Sequence, residues 1–421
     1  MIKEKWIEKY RSSTEMVNKP ADVLTGFNAN IDVIHQVSEL NLDLKDSEQK
    51  LIKSLNNTED LKSSLKYCIN KSENNEVDKG NIELKLEGDE YIGGQAGIIS
   101  NFLAKTGKGV IFYTPLLSEE LASNIEDKVL YPVIDGEFML KNVRDASNTD
   151  RLKKNHIFEF NNQGDTGRLI VSDTLKGFGP YFRKGVEDNL DFIQQTVDCA
   201  VLSGFHDIEG NKVAKLKKAA RQVNMIDKPT HLEFVNKNLE TTSLILEHLI
   251  GEFDSLGLDE SEFKAIVKHL DIDSISGDLN LGEAFSCSKK LLNRFNLDRI
   301  HLHTIRYHII VVKQDYATPM EKLRKSMLYG EVAAIQAADK GELPSKEDIE
   351  TFNMENKEIN GLQELEHFED YFNLEDFKES GMAEIDDFKL VAIPTIIHRD
   401  PEKTVGMGDI ISSGTFSSEF S

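Results

Sequence analysis

The chain has 421 residues, and its 50 lysines and arginines against 73 aspartates and glutamates give a formal net charge of −23. A surface of this sign repels the phosphates of nucleic acids and of anionic lipids, so we expect neither nucleic acid nor a membrane as a partner. The three cysteines are far apart without metal-type pairing, and no segment reaches the roughly 18 consecutive apolar residues of a membrane span. We therefore expect a cytoplasmic protein with a core large enough for two domains.

Short apolar runs alternate with helical patterns along most of the chain. The runs occupy residues 23–27, 110–113, 200–204, 231–235, 300–303, 308–312 and 390–393. Between two of them, residues 211–223 repeat apolar side chains at helical spacing. Strands without inward and outward alternation are typical of a parallel sheet that is covered on both faces. The pattern predicts an α/β fold with a mostly parallel central sheet and ligand sites at the carboxyl ends of its strands.

Two stretches interrupt this alternation. Residues 35–92 are mostly polar, with a helical character and a short strand-like alternation at 82–86, and residues 131–176 carry two strand-like pieces. The strand–helix alternation stops after a strand end at the start of each stretch and resumes after the stretch. We therefore predict that the two stretches together form a discontinuous α/β lid. The predicted core comprises residues 1–34, 93–130 and 177–421. Two unrelated surface insertions remain the alternative.

A glycine-rich segment near the C-terminus carries the strongest chemical signal. Residues 405–409 read Val-Gly-Met-Gly-Asp, after the last predicted strand and at the start of a predicted helix. Two glycines permit positive φ, so the N–H groups of Gly406, Met407 and Gly408 can converge on an anion at the positive end of the helix dipole. Since a carboxylate there is a poor anion ligand, we interpret Asp409 as a general base. A turn with a capping aspartate remains the alternative.

Two further segments end strands or begin helices with small or polar residues. Gly94 and Gln95 precede a helical stripe, where small residues let a polar ligand approach the backbone. Asn30 and Asp32 follow the first predicted strand, and such short polar side chains can bind neighbouring sugar hydroxyls. A packing role for the first segment and an Asx-turn for the second remain open.

Several acids and bases have the positions that a phosphate or metal site needs. Glu233 lies within an apolar strand, where an unpaired carboxylate is costly, and Asp259 and Glu262 follow a turn. Oxygen ligands without nitrogen or sulfur neighbours suit Mg²⁺, although a cap or an ion pair explains each acid singly. Arg168, Arg183 and Lys184 are the basic residues that we place near phosphate, with a surface charge as the alternative for each. Three histidines in predicted strands are expected to be satisfied by the backbone: His301, His303 and His308.

In this order, the segments resemble the ADP-dependent sugar kinases, the archaeal glucokinase and phosphofructokinase group of the ribokinase-like superfamily. The resemblance rests on NANID at 28–32, GGQAGIISN at 93–101, LSGFH at 202–206, HLE at 231–233 and VGMGDIISSGTF at 405–416. It implies a three-layer α/β core with a lid that closes over a hexose or hexose phosphate, with MgADP as donor and AMP as product. We predict a 6-phosphofructokinase, with glucokinase activity as a second activity to be tested. The sequence does not indicate the oligomeric state, although a lid covered by its own helices is compatible with a monomer. An ATP-dependent kinase of the same fold and a catalytically silent sensor are the alternatives.

The resemblance also implies a role for each motif. Asp409 would be the base, and the amides of Gly406, Met407 and Gly408 would form the anion hole. Glu233 would organise Mg²⁺ through water. In the family's N-x-x-E metal motif, Asp259 stands here in place of asparagine. The metal residues would be Glu233, Glu262 and Asp409, and the substrate-binding residues would be Asn30, Asp32, Gly94, Gln95, the lid residue Glu76 and the phosphate ligand Arg168.

Overall fold

The computed structural model describes every residue except 1, 41, 163, 164, 274, 276 and 403–405. Thr404 and Val405 of the glycine-rich motif therefore lie outside the described residues. The strands are β1 (Asp22–Gly26), β2 (Asn30–Gln36), β3 (Asn75–Asp78), β4 (Asp89–Gly93), β5 (Gly109–Tyr113), β6 (Leu130–Asp135), β7 (Glu137–Asn142), β8 (Lys154–Asn162), β9 (Asp165–Ser172), β10 (Cys199–Leu202), β11 (Thr230–Glu233), β12 (Ser255–Asp259), β13 (Arg299–His303), β14 (Tyr307–Lys313), β15 (Lys357–Asn360), β16 (Met382–Ile385) and β17 (Phe388–His398).

The α-helices lie between these strands and at both ends of the chain. They are α1 (Ile2–Ser13), α2 (Thr58–Lys71), α3 (Gln95–Lys105), α4 (Glu119–Ser123), α5 (Val143–Ala146), α6 (Lys184–Glu187), α7 (Leu190–Gln195), α8 (Lys212–Val223), α9 (Leu239–His248), α10 (Glu260–His269), α11 (Leu281–Phe295), α12 (Met320–Lys340), α13 (Lys346–Glu350), α14 (Leu362–Phe372), α15 (Phe377–Ser380) and α16 (Met407–Glu419). In the part of the chain that is described, no helix combines the length and the apolar composition that crossing a bilayer requires.

The large sheet has the order β15-β17-β14-β13-β12-β11-β10-β1-β5-β6-β7, and β16 also pairs with β17. Neighbours from β6 through β5, β1, β10, β11 and β12 to β13 are parallel, and antiparallel pairs extend the sheet at both ends. The central strands are buried, which is why their sequences read as continuous apolar runs. The predicted α/β fold with a mostly parallel sheet is confirmed.

The small sheet has the order β3-β9-β8-β2-β4. Helix α2 covers one of its faces, where Leu61 and Leu65 pack with Phe158 and Leu169. The Asn57 side chain begins α2 by accepting hydrogen bonds from the backbone N–H groups of the first turn. Helix α2 does not cover the opposite face of the small sheet. A cleft separates this face from the large-sheet side of the molecule.

The structure differs from the predicted organisation at three places. Residues 82–86 do not form a strand. They lie in the segment that connects β3 to β4. The β6–β7 hairpin extends the large sheet, although residues from 131 onward were expected in the lid, and β2 lies in the small sheet from Asn30 onward. The division of the chain into core and lid domains stays a prediction.

Helix α16 is held tightly between α12 and α3. At the crossing of α16 and α12, the Cα of Gly330 lies 3.5 Å from the position that a Cβ on Gly414 would occupy, and a Cβ on Gly330 would lie 2.6 Å from the Ile411 carbonyl oxygen. Phe102 of α3 closes the other side of Gly414. The helix that begins with the glycine-rich motif is therefore fixed by close backbone packing.

Candidate active site

The turn before α16 presents backbone N–H groups at the edge of the large sheet. Gly406 has φ 80°, in the region that favours glycine, and α16 begins at Met407. The first N–H groups of a helix have no partner within it, so those of Met407 and Gly408 are free to bind an anion. Our expectation of positive φ at both glycines is wrong for Gly408, which is helical. A side chain there would instead lie 3.0 Å from the ring of His303.

Asp409 lies in the first turn of α16, beside the N-terminus of α3. Burial raises the pKa of Asp409 to about 7, and the negative charge of Glu233 acts in the same direction. A hydrogen bond with the Gln95 side chain and the proximity of His303 oppose this shift. A carboxyl group with a pKa near neutrality can accept a proton and release it again, which is what general-base catalysis requires.

Glu233 is a second, differently tuned carboxylate at the end of β11. One of its oxygens lies 3.3 Å from His231 Nε2, and the other lies 3.9 Å from His303 Nε2. His231 Nε2 is also 2.8 Å from Ser412 Oγ of α16. Although burial opposes ionisation, the contacts with His231 and His303 lower the pKa of Glu233 to about 2. The Glu233 carboxylate is thus buried, as predicted, and histidines are its partners. Its negative charge is close enough to Asp409 to raise the pKa of that residue.

Asp259 and Glu262 form a capping box at the start of α10. Asp259 Oδ1 accepts a hydrogen bond of 2.8 Å from the Glu262 N–H, and Glu262 Oε2 accepts one of 2.9 Å from the Asp259 N–H. Its other oxygen, Oε1, accepts from the Asn236 N–H at 3.3 Å. Burial, followed by the charge of Asp259, raises the pKa of Glu262 well above its usual value. The capping alternative is what the structure shows for this pair.

Direct metal coordination is absent among the residues that the structure describes. No group of three or more histidine, cysteine, aspartate or glutamate side chains there could hold a metal ion. The predicted residues Glu233, Glu262 and Asp409 are therefore not gathered into a direct three-ligand site. An ionised Glu233 beside Asp409 fits instead a cation that keeps its water ligands, as Mg²⁺ does when phosphates supply further oxygens.

The two predicted sugar-binding segments lie against one another. In β2, Asn30 Nδ2 donates to Asp32 Oδ1 at 2.5 Å, and Asn155 Nδ2 of β8 donates to the same oxygen at 3.1 Å. Gly93 is opposite Asn30 in the sheet, and a side chain there would collide with the Asp32 carboxylate. Gly94 follows with φ 72°, and its own Cβ would lie 2.9 Å from the Asn28 carbonyl oxygen. This close approach brings the polar end of β2 next to α3, which begins at Gln95.

The other two predicted substrate residues come from the small sheet. Glu76 is exposed on β3, where its Oε1 accepts a 2.5 Å hydrogen bond from Ser172 Oγ, and it is close enough to Lys237 of the large-sheet side to interact electrostatically. Arg168 of β9 faces a cleft of about 710 Å³, and Glu402, just before the glycine-rich motif, lines the same cleft. The structure thus places Glu76 and Arg168 on neighbouring strands at the cleft side of the small sheet, where Glu76 is opposite Ile170, two residues from Arg168.

A charged cluster that our sequence analysis missed lies at one end of the cleft. Asp207 bonds to Lys153 Nζ at 2.8 Å and to Lys237 Nζ at 3.2 Å, and all three line one pocket with Asn28. Although burial opposes it, the neighbouring His206 and the positive charges of Lys153 and Lys237 hold the pKa of Asp207 well below its usual range. Asp207 follows the LSGFH segment at the end of β10, and that position could have identified it. Lys153 and Lys237 have no comparable signal in the sequence.

Together the two sheets define the class of protein. A mostly parallel sheet presents an acid and an amide turn at the carboxyl ends of its strands, and a smaller sheet lies across the cleft from them. These features are those of a ribokinase-like α/β kinase.

Comparisons with known proteins identify the family. Residues 21–418 match the model of the ADP-specific phosphofructokinase/glucokinase conserved region. The ADP-specific phosphofructokinase of Thermococcus zilligii is 31% identical over 362 residues, which cover 78% of this chain and 77% of the relative. The ADP-dependent glucose/glucosamine kinase of Pyrococcus furiosus is 26% identical, with 99% of each chain covered. The chain belongs to the ADP-specific phosphofructokinase/glucokinase family.

A solved structure supports the same assignment. It is an ADP-dependent kinase in complex with fructose 6-phosphate and ADPβS, with a TM-score of 0.82 and 26% identity. The match covers 99% of this chain and 97% of the other. The predicted family, the predicted ribokinase-like fold and the predicted sugar kinase activity are confirmed.

Proposed function

We propose that the protein transfers the β-phosphoryl group of ADP to fructose 6-phosphate, with glucose as a second acceptor. The relatives named above support both acceptors, since one is a phosphofructokinase and another a glucose kinase. The observation that carries the proposal is the position of Asp409, a carboxyl group of raised pKa beside the N–H groups that begin α16.

In the proposed reaction, Asp409 takes the proton of the attacking hydroxyl, at C1 of fructose 6-phosphate or at C6 of glucose. The amides of Gly406, Met407 and Gly408 stabilise the phosphoryl group during an in-line transfer, because the helix N-terminus favours negative charge there. Gln95, which bonds to Asp409, holds the carboxyl group in position. The leaving group is AMP.

Residues on both sides of the cleft would bind the substrates. Asn30, Asp32 and Gly94 form one continuous surface for sugar hydroxyls, because Asp32 is already oriented by two amide side chains. Glu76 would reach the sugar from the lid, and Arg168 would bind phosphate. Closure of the small sheet over the sugar would keep water from acting as the acceptor.

The residues of the site are compatible with Mg²⁺ held through water. Glu233 would orient the ion's water ligands, and Glu262, whose two oxygens accept backbone N–H groups, would support the adjacent turn. The ion would offset the charge that develops on the phosphoryl oxygens.

The experiment combines a donor panel with two acceptors. Formation of the sugar phosphate is measured with ADP, ATP, GTP and pyrophosphate as donors, each with fructose 6-phosphate or glucose, and AMP release is measured in the reactions with ADP. We expect turnover with ADP and fructose 6-phosphate, and a smaller kcat/KM with glucose. Turnover with ATP in place of ADP would contradict the proposed donor, and no product with any pair would favour a sensor.

A further inference from the structure

Strand β7 is the outermost strand at one end of the large sheet. It pairs with β6 on one side, and among the described residues no strand pairs with its other side. Its outward N–H and C=O groups therefore lie at an open sheet edge. Monomeric proteins commonly protect such edges with proline or a covering element, because an open edge can pair with another chain. Residues 137–142 contain no proline.

The sequence of β7 is complementary to itself in the antiparallel direction. Residues 137–141 read Glu-Phe-Met-Leu-Lys. When two copies pair antiparallel with Met139 at the centre, Glu137 lies opposite Lys141 of the partner subunit, and Phe138 lies opposite the partner's Leu140. Two-fold symmetry repeats each of these pairs, so one register produces two opposite-charge pairs and two apolar pairs.

The charges within one chain leave Glu137 poorly satisfied. In the β6–β7 hairpin Glu137 is directly opposite Asp135, and like charges at such positions repel each other. Lys141 lies 3.3 Å from Asp135, and the Asp135 side chain is 72% exposed. A second Lys141 beside Glu137 would relieve this repulsion.

Exposed apolar side chains lie along the same edge. Ile134 of β6 and Phe192 of α7 are each 49% exposed, and Leu130 of β6 is 37% exposed. The Phe192 ring packs 5.2 Å from that of Phe138. A second chain at this edge would cover the strip in addition to the backbone groups of β7.

We infer that β7 is a homodimer surface, at which two copies of the chain pair antiparallel and join their large sheets into one. A dimer of this kind differs from the monomer that the sequence left open, and it does not rest on the proposed reaction, because none of these residues belongs to the active site.

A charge-reversal experiment tests the register. Sedimentation velocity at protein concentrations up to about 100 µM measures the dimer dissociation constant of the wild type, Glu137→Lys, Lys141→Glu and the double variant. Each single variant places two like-charge pairs in the interface, so we expect the constant to rise at least about tenfold, and the double variant should restore it. Glu83→Lys, an equal charge change at an exposed position, is the matched control and should leave dimerisation unchanged.

Kinase activity and the melting temperature show whether each variant is folded, and neither should change. A wild type that is monomeric at the highest concentration would overturn the inference. So would a dimer that the single variants leave intact, or a double variant that remains dissociated.

Discussion

The two sides of the cleft are built by different means. On the large-sheet side, Asp409 belongs to a helix that is packed at close range between α12 and α3, with glycines at the closest approach. On the small-sheet side, Asp32 lies on an open sheet face and is oriented by two amide side chains. Backbone packing therefore fixes the proposed base, whereas side-chain hydrogen bonds orient a proposed substrate-binding residue. We expect changes on the first side to alter turnover or stability and changes on the second to alter substrate affinity.

The largest expected effect is that of Asp409→Asn. An amide of the same shape keeps the packing but cannot take the proton, so we expect kcat to fall by roughly 10²–10⁴ with little change in the KM for the sugar. Steady-state kinetics with ADP and fructose 6-phosphate measure this, with Asp315→Asn in an exposed turn as the control. Near-normal turnover in Asp409→Asn would remove the residue from its role.

Gly330→Ala tests the packing of α12 against α16. A Cβ at residue 330 would lie 2.6 Å from the Ile411 carbonyl oxygen and 3.2 Å from the Thr415 nitrogen, so α16 has to move. We expect the free energy of unfolding to fall by about 2–3 kcal/mol, accompanied by a lower kcat. Chemical denaturation measures the first quantity. Gly282→Ala, whose Cβ would approach only Asn280 Oδ1 at 3.3 Å in α11, should be neutral or slightly stabilising. Equal effects in the two variants would show that the close crossing is unimportant.

Asp32→Asn tests the small-sheet side. Asp32 Oδ1 accepts from both Asn30 and Asn155, and an asparagine carbonyl oxygen can keep both bonds. The substitution therefore removes the negative charge and turns the second oxygen, an acceptor for a sugar hydroxyl, into an N–H donor. We expect the KM for the sugar to rise by roughly 10- to 100-fold, the scale of one lost charged hydrogen bond, while kcat falls less. Asp46→Asn, exposed in the same part of the chain, is the control. A loss confined to kcat would place Asp32 with the reacting groups instead.

The smallest expected effect concerns acid stability of the small sheet. His156 is buried, its Nδ1 lies 2.9 Å from His35 Nε2, and burial, followed by the charge of His35, lowers its pKa to about 4. The unfolded chain, with a histidine pKa near about 6.5, binds the proton first, so stability is complete above that pH and falls between pH 6.5 and 4.

His156→Gln should remove about 1–2 kcal/mol of this pH dependence, as measured by urea unfolding at both ends of the range. His367→Gln, at an exposed position of α14, is the control. An unchanged slope in His156→Gln would show that other groups cause the acid sensitivity.

The sequence predicted the parts of the fold that depend on local patterns. Buried parallel strands and amphipathic helices such as α8 have patterns that neighbouring residues determine, and the glycine-rich turn is visible because Gly406 needs positive φ. The sequence did not indicate which of the two sheets each strand joins. The β6–β7 hairpin and β2 read as ordinary strands, and only tertiary contacts decide which sheet each one joins.

The sequence indicated residues of the candidate site that lie close together in the structure, but it did not indicate the hydrogen-bond partners of each polar group. Asp409 and Glu233 lie near one another as expected, whereas Glu262 uses both oxygens on backbone N–H groups. The expectation that backbone groups satisfy the strand histidines is wrong for His301, because neither ring nitrogen has a hydrogen-bond partner among the described residues. Side-chain pairing over long sequence distances, as in the Asp207 cluster, leaves no local pattern.

The path of the chain between the two sheets has a consequence for their relative motion. Strand β1 ends at Gly26 in the large sheet and β2 begins at Asn30 in the small one, while β4 ends at Gly93 and α3 begins two residues later. These are two of the four connections between the sheets, and both lie at the segment that carries Asn30 and Gly94, whereas the other two follow β7 and β9. A rotation about these two connections would displace Asn30 less than Arg168, which lies two strands away in the small sheet. The proposed sugar contacts at Asn30 would then move less than the proposed phosphate contact at Arg168.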